Sequence, residues 1–209
     1  FGLSDDAAIF EGRGDDIVVT TDAIVEGVHF LPGDPPATVA RKALRVNLSD
    51  LAAKGAVPAG FVLTLALTRA DDGWLAPFAQ ALAEDIATYG CPLLGGDTVA
   101  TPGPMTVSVT AFGRVPAGRM VRRAGARPGD HVAVSGSIGD AVLGLRLIRG
   151  ATSDRLAPDQ RAALIARYRE PQPRLALAVA LRDCASAAMD VSDGLAGDLA
   201  KLCATSGVT

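Results

Sequence analysis

Ile17-Val-Val-Thr-Thr-Asp22 decides how the chain is read: a β-branched run, bounded by charged and glycine residues, closed by an aspartate. Branched side chains suit a pleated, buried surface, so the run is a strand that delivers Asp22 at its C-terminal end. After the Pro35-Pro36 break, Thr38 can cap a helix to about Lys54, with Ala40, Ala43, Leu44 and Leu51 at helical spacing and Gly55 as its stop. Asn47 and Asp50, three residues apart, share a face of that helix. Phe61 to Leu67 reads as a strand buried on both sides. Leu75, Phe78, Leu82, Ile86 and Tyr89 then step by three and four toward Gly90, with Pro77 sitting late for a first turn. Pro92 to Leu94 leads into Gly95-Gly-Asp97, and Met105 to Phe112 is a further strand. Such alternation belongs to the α/β or α+β class.

Between Gly113 and Asp130 the composition shifts to Gly, Pro and Arg, which places a domain boundary near Gly118. Domains of 1–117 and 118–209 are expected. In the second, His131 to Val134 reads as a strand, Ser135 to Gly139 as a turn, and helices are expected at 140–149, 159–168, 174–185 and 194–205. The chain starts on Phe1 rather than Met and its last helix ends at Gly207, so a missing start and a truncated second domain are expected.

With 209 residues, 49% of them hydrophobic, there is material for one large core or two small ones. A net charge of −3 offers no basic field for nucleic acid or an anionic membrane. Ala56 to Leu67, the most apolar run, is interrupted by Pro58 and Gly60 and is shorter than the ~20 helical residues a bilayer requires. Cys91, Cys184 and Cys203 are odd in number and lack C-x-x-C spacing, which points to packed thiols in a reducing cytoplasm.

No phosphate-binding P-loop, dinucleotide fingerprint or protein-kinase signature is present. Ser135-Gly-Ser-Ile-Gly139 can cradle a phosphate, although such glycines more often only turn the chain. The aspartates are more telling. Asp5-Asp6, Thr21-Asp22, Ser49-Asp50, Gly96-Asp97, Asp190 and Ser192-Asp193 fall at element ends or in Gly/Ser-flanked turns. Mg²⁺ takes a few carboxylates together with phosphate oxygens and water, so a polyphosphate site can collect single aspartates from many loops. Each aspartate alone is explained as well by turn or helix capping, and Asp193 is the obvious cap for a helix starting at Gly194. Asp190-Val-Ser-Asp193 brackets a hydroxyl with two carboxylates at a helix N-terminus, which suits metal and phosphate. His29 is a base, a ligand or a core residue; were the acceptor a phosphate, ionised above a second pKa of about 6, it would contact substrate rather than take a proton. His131 reads as structural, and Arg122 and Arg123 as either phosphate-neutralising or solvated.

Six strings together resemble the thiamine-monophosphate kinases, relatives of aminoimidazole ribonucleotide synthetase and selenophosphate synthetase. They are Ser4-Asp-Asp-Ala-Ala8, Thr20-Thr-Asp-Ala-Ile-Val-Glu-Gly-Val-His-Phe30, Lys42-Ala-Leu-Arg-Val-Asn-Leu-Ser-Asp-Leu-Ala-Ala53, Gly95-Gly-Asp-Thr98, Arg123-Ala-Gly-Ala-Arg-Pro-Gly-Asp130 and Met189-Asp-Val-Ser-Asp-Gly-Leu195. The resemblance implies transfer of the ATP γ-phosphoryl group to thiamine monophosphate, giving thiamine diphosphate and ADP, with several Mg²⁺ ions and neither a protein nucleophile nor a base. It implies a two-domain α/β fold whose N-terminal mixed sheet pairs in a homodimer, with an α/β C-terminal domain closing over the nucleotide. Asp6, Thr20, Thr21, Asp22, Asp50, Asp97, Asp190 and Asp193 match metal-binding positions. Gly96, Asp97, Arg123 and Ser192 match ATP contacts, and His29 matches a substrate contact. Ser4 and Lys54 depart from the family's usual Gly and apolar residue, and the segments that read the thiamine ring are expected outside this chain. Another ATP-using enzyme of the superfamily and a non-catalytic nucleotide-binding fragment are the competing readings; Glu26-Gly-Val-His-Phe30 favours the thiamine enzyme.

Overall fold

A computed structural model describes residues 5, 7–10, 14–152 and 155–209. Its centre is a five-stranded sheet in the order β1-β2-β5-β3-β4, formed by β1 (Ala8–Phe10), β2 (Asp15–Val25), β3 (Val57–Leu67), β4 (Leu93–Ala100) and β5 (Thr106–Pro116). All neighbours are antiparallel except β3 and β4, which run parallel and are joined through a helix, as parallel strands require. The mixed α/β character read from the sequence is therefore what the chain adopts.

Helix α1 (Pro36–Ala53) lies across the sheet, and α2 (Asp72–Tyr89) packs beside it. Val39, Ala43, Leu44, Leu48 and Leu51 of α1 are buried against Val18, Ile24, Phe61, Val107 and Val109 of the sheet, forming one continuous apolar core with Phe78 and Leu82 of α2. A charged pair is sunk into the α1–α2 seam. Arg45 donates Nε to Asp85 Oδ2 at 2.7 Å and a terminal nitrogen to Oδ1 at 2.8 Å, with Arg45 8% and Asp85 2% exposed. The fork geometry satisfies both carboxylate oxygens, the condition under which two charges can be buried together.

Beyond β5 the described elements are helical: α3 (Asp140–Ile148), α4 (Pro158–Arg169), α5 (Ala178–Cys184), preceded by a 3₁₀ turn at Leu175–Leu177, and α6 (Leu195–Ser206). The expected helices are all present, the third divided by that turn. This half is tied back to α1 by polar contacts. Arg41 meets Glu170 at 3.1 Å, Arg169 meets Asp34 at 2.7 Å, and Arg182 hydrogen-bonds the carbonyl of Gly55.

Three local expectations are corrected, those at Thr38, Gly95–Asp97 and His131–Val134, while Pro77 does fall past the first turn of its helix. Thr38 does not cap α1: its hydroxyl donates to the Pro35 carbonyl at 2.8 Å, and the N-cap is Pro35, three residues earlier, with Pro36 preset for the first helical position. Pro77 lies inside α2, whose true cap is Asp71, accepting from the Gly73 N–H at 3.0 Å. Gly95-Gly-Asp97 is not a turn but the middle of β4; a Cβ on Gly96 would sit 1.8 Å from the Leu63 carbonyl oxygen, so glycine is what lets β4 approach β3. His131 to Val134 forms no strand. A strand exists only through its partner, and among the described residues after Pro116 there is no other strand to pair with it, leaving Val132 66% exposed.

Removing one partner of the buried pair should be costly, since the other charge is stranded. Asp85→Ala is expected to lower unfolding free energy by about 3–5 kcal/mol in urea denaturation, whereas trimming the exposed Arg69–Asp71 pair by Arg69→Ala should cost about 1 kcal/mol or less.

Candidate functional site

Along β2 the side chains alternate, so Val18, Thr20, Asp22 and Ile24 share the face that looks onto α1 while Thr21 takes the other. Thr20 is buried and its hydroxyl donates to Asp50 Oδ2 at 2.6 Å, bridging the strand to the last turn of the helix. Asp22, one pleat further along, stands within hydrogen-bonding reach of Asp50. Asp190 comes in from the segment before α6, within reach of Ser49 and inside the electrostatic field of Asp22 and Asp50. Three carboxylates and two hydroxyls from a strand, a helix and a distant loop thus meet at one end of α1.

Their crowding is visible in their acidity. Burial, then the charge of Asp190 and that of Asp22, pushes the Asp50 carboxyl up to about 8, against the opposing hydrogen bond from Thr20. Burial likewise raises Asp190 and Asp22. Lys54, buried at the C-terminal end of α1, has its ammonium 2.7 Å from Asp5 Oδ1; burial pulls its pKa down while Asp5 opposes the shift. A half-buried set of hard oxygen donors whose ionised form is disfavoured by burial and by one another is chemically what a Mg²⁺ ion with phosphate oxygens would complete. As they lie, no three carboxylate, imidazole or thiol groups among the described residues converge tightly enough to enclose an ion by themselves. Asp6 lies outside the described residues.

The remaining expected residues are distributed differently. Thr21 bonds the Val109 carbonyl at 3.1 Å and pairs with the Thr110 hydroxyl at 2.9 Å on the opposite face, so its side chain is turned away from the cluster. Asp97 and Gly96 are exposed on the edge strand. The register runs Asp22 to Val109 to Leu63 to Gly96, three strand spacings or roughly 14 Å, so Asp97 and Asp22 cannot ligate one ion within a single chain. His29 sits exposed in the tight turn after β2; its Nδ1 accepts the Val25 N–H at 3.1 Å, which leaves Nε2 as the ring atom turned outward. Lys42 donates to the His29 carbonyl at 3.0 Å, with its ammonium 3.6 Å from the Tyr168 ring centre, fixing that turn against α4. The Arg123 N–H donates to Asp5 Oδ2 at 2.9 Å.

Asp193 is not the cap of α6. Asp198, 1% exposed, accepts from the N–H groups of Ser192, Asp193 and Gly194 at 3.0, 3.0 and 3.2 Å, and the ammonium of Lys201 bridges it to Asp193. Although burial works against its ionisation, these donors hold Asp198 below the usual carboxylate range. Sequence reasoning missed this residue. The available signal was an acidic side chain in the first turn of a helix, where the macrodipole favours it.

Comparison with known proteins follows the same lines. A family model described as AIR synthase related protein, N-terminal domain, matches residues 4–115. A thiamine-monophosphate kinase from Caulobacter vibrioides is 48% identical over 207 residues, 98% of this chain and 57% of the relative. The solved structure of AaThiL complexed with AMPPCP and TMP superposes with a TM-score of 0.91 at 34% identity, covering 98% of this chain and 65% of that one. The thiamine monophosphate kinase of Aquifex aeolicus gives 0.86 at 32% identity, over 98% of this chain and 68% of that one. The chain thus spans little more than half the length of its curated Caulobacter relative.

The raised Asp50 carboxyl has a thermodynamic consequence. An acid whose folded value lies above its ordinary 3.8 binds its proton more tightly when folded, so stability is lost as pH rises from about 4 to about 8. In EDTA the urea midpoint of the chain is expected to fall between pH 5 and pH 8.5, and Asp50→Asn should flatten that fall; an undiminished slope in the variant would contradict the assignment.

Proposed function

The chain belongs to the AIR synthase related family and, within it, to the thiamine-monophosphate kinases, and from that membership we propose that it carries the ATP- and metal-binding part of an enzyme that phosphorylates thiamine monophosphate. The γ-phosphoryl group of ATP passes to the acceptor's phosphate oxygen, giving thiamine diphosphate and ADP. The observation that carries this reading is the meeting of Asp22, Asp50 and Asp190 at the end of α1.

A phosphate acceptor is already anionic, so the reaction needs orientation and charge neutralisation rather than a base. Mg²⁺, when bound, would supply the neutralising charge. Asp6, Thr20, Asp22, Asp50 and Asp190 would hold it, with Thr21 contributing through its main chain. Asp97 and Asp193, outside the cluster, would serve other cations, and Gly96, Arg123 and Ser192 would contact the nucleotide. His29, with Nε2 turned outward, would meet the acceptor.

A homodimer is part of the proposal. Strand β4 is an unpaired edge with Leu93, Leu94 and Val99 at 44%, 61% and 43% exposure, apolar surface that a soluble protein usually covers. The three thiols are free, which supports the reducing, cytoplasmic setting proposed for the chain; no helix among the described residues is long and apolar enough to cross a membrane.

The test is an assay of the whole protein, at the length of its relatives, with ATP, Mg²⁺ and thiamine monophosphate, beside thiamine and a purine-pathway acceptor. Thiamine diphosphate is the expected product, and Asp22→Asn and Asp50→Asn should each lower kcat at least ~10²-fold without unfolding the protein. Wild-type turnover in either variant would remove these carboxylates from the site. Mg²⁺-dependent ATP binding with no ADP formed from any acceptor would make the protein a nucleotide-binding module instead.

A further inference from the structure

The acidic cluster has a cation built into it. Lys54 is 0% exposed and its ammonium reaches both Asp5 Oδ1, at 2.7 Å, and the Ala188 carbonyl, at 2.9 Å. The main chain continues the connection: the Val121 N–H donates to the Lys54 carbonyl at 3.1 Å, and the Ala188 N–H donates to the Arg122 carbonyl at 2.9 Å. The Arg123 N–H reaches the second oxygen of Asp5. These bonds form a closed ring through the end of α1, Asp5, residues 121–123 and the segment leading to Asp190. Asp50 and Asp190 both lie in the field of the same ammonium.

A chain that gathers Asp5, Asp22, Asp50 and Asp190 in a half-buried space must hold them against mutual repulsion, and the effect of a charge grows as water is excluded. Asp5, with its side chain 5% exposed, occupies one side of the ammonium; Asp50 and Asp190 lie beyond it. We infer that Lys54 is a positioning residue, a resident counter-cation that fastens the Asp190 segment to α1 and keeps Asp50 and Asp190 together before any metal ion arrives. The inference rests on reading those carboxylates as a metal–phosphate site, but its first test needs no metal.

In EDTA, thermal melts of the 209-residue chain are compared for wild type, Lys54→Met, Asp190→Asn and the double variant. Lys54→Met should lower Tm by at least about 6 °C. Asp190→Asn should raise Tm in the Lys54→Met background by several degrees more than in wild type, because it removes the carboxylate that the ammonium offsets. Equal effects in the two backgrounds mean Lys54 only fills space, and overturn the inference. Should Lys54→Met not fold, Lys54→Gln, which keeps an uncharged donor at the end of a slightly shorter side chain, carries the same comparison. MgCl₂ is then added. A larger Mg²⁺-induced rise in Tm for the lysine variant than for wild type supports the inference, and an equal non-zero rise overturns it. Coupling in EDTA with no Mg²⁺ response in any chain upholds the counter-cation while refuting the metal reading, which keeps the two failures apart.

Discussion

The repulsion among Asp22, Asp50 and Asp190 is the constraint around which the rest is arranged. Carboxylates brought together away from water oppose folding unless each has a donor or a counter-charge. Here Thr20 and Ser49 supply hydroxyls, Lys54 supplies charge, and burial raises the Asp50 carboxyl to about 8. An apolar core alone would expel such a group. That it is kept, at the junction of a strand, a helix terminus and a loop, is the behaviour expected of a site prepared for something cationic.

The sheet acts as a ruler for that site. Period-two alternation sends Thr20 and Asp22 to the α1 face and Thr21 away from it, so adjacent residues of one motif cannot play the same side-chain role. Across the strands, the row from Asp22 through Val109 and Leu63 to Gly96 fixes Asp97 at the far edge. Of the six aspartates that read as a single cluster in one dimension, three form a central trio, Asp97 stands at the sheet edge, Asp193 pairs with Lys201, and Asp6 lies outside the described residues.

Helices α1 and α2 were legible from apolar residues at helical spacing, and strand β2 from its β-branched run. The helix caps were missed locally; the other misses share a cause, being fixed by partners distant in sequence. Strand β1 is three residues long and exists by pairing with Val18 and its neighbours. The glycines of β4 resemble a turn until the Leu63 carbonyl is seen pressed against Gly96. His131 to Val134 has strand composition with no described strand to pair with it. The buried Arg45–Asp85 pair lies 40 residues apart and has no local signature. Of the site, residue types and their places at element ends could be read, but which aspartates meet could not, because that depends on the register of β2 against α1.

The start of α6 shows why a motif's chemistry has to be assigned atom by atom. Three consecutive N–H groups at Ser192, Asp193 and Gly194 make an anion cradle of the kind helix N-termini offer to phosphates. In this chain the cradle is occupied by the Asp198 carboxylate, itself held by Lys201 and almost wholly buried. A phosphate entering there would have to displace an internal anion and strand it away from water, a heavy penalty. Were Ser192 to contact a nucleotide, as the proposed function has it, the task would fall to its exposed hydroxyl, not its amide. The same carboxylate, one turn into the helix, orders the turn that follows Asp190 and so helps hold that residue opposite Asp50.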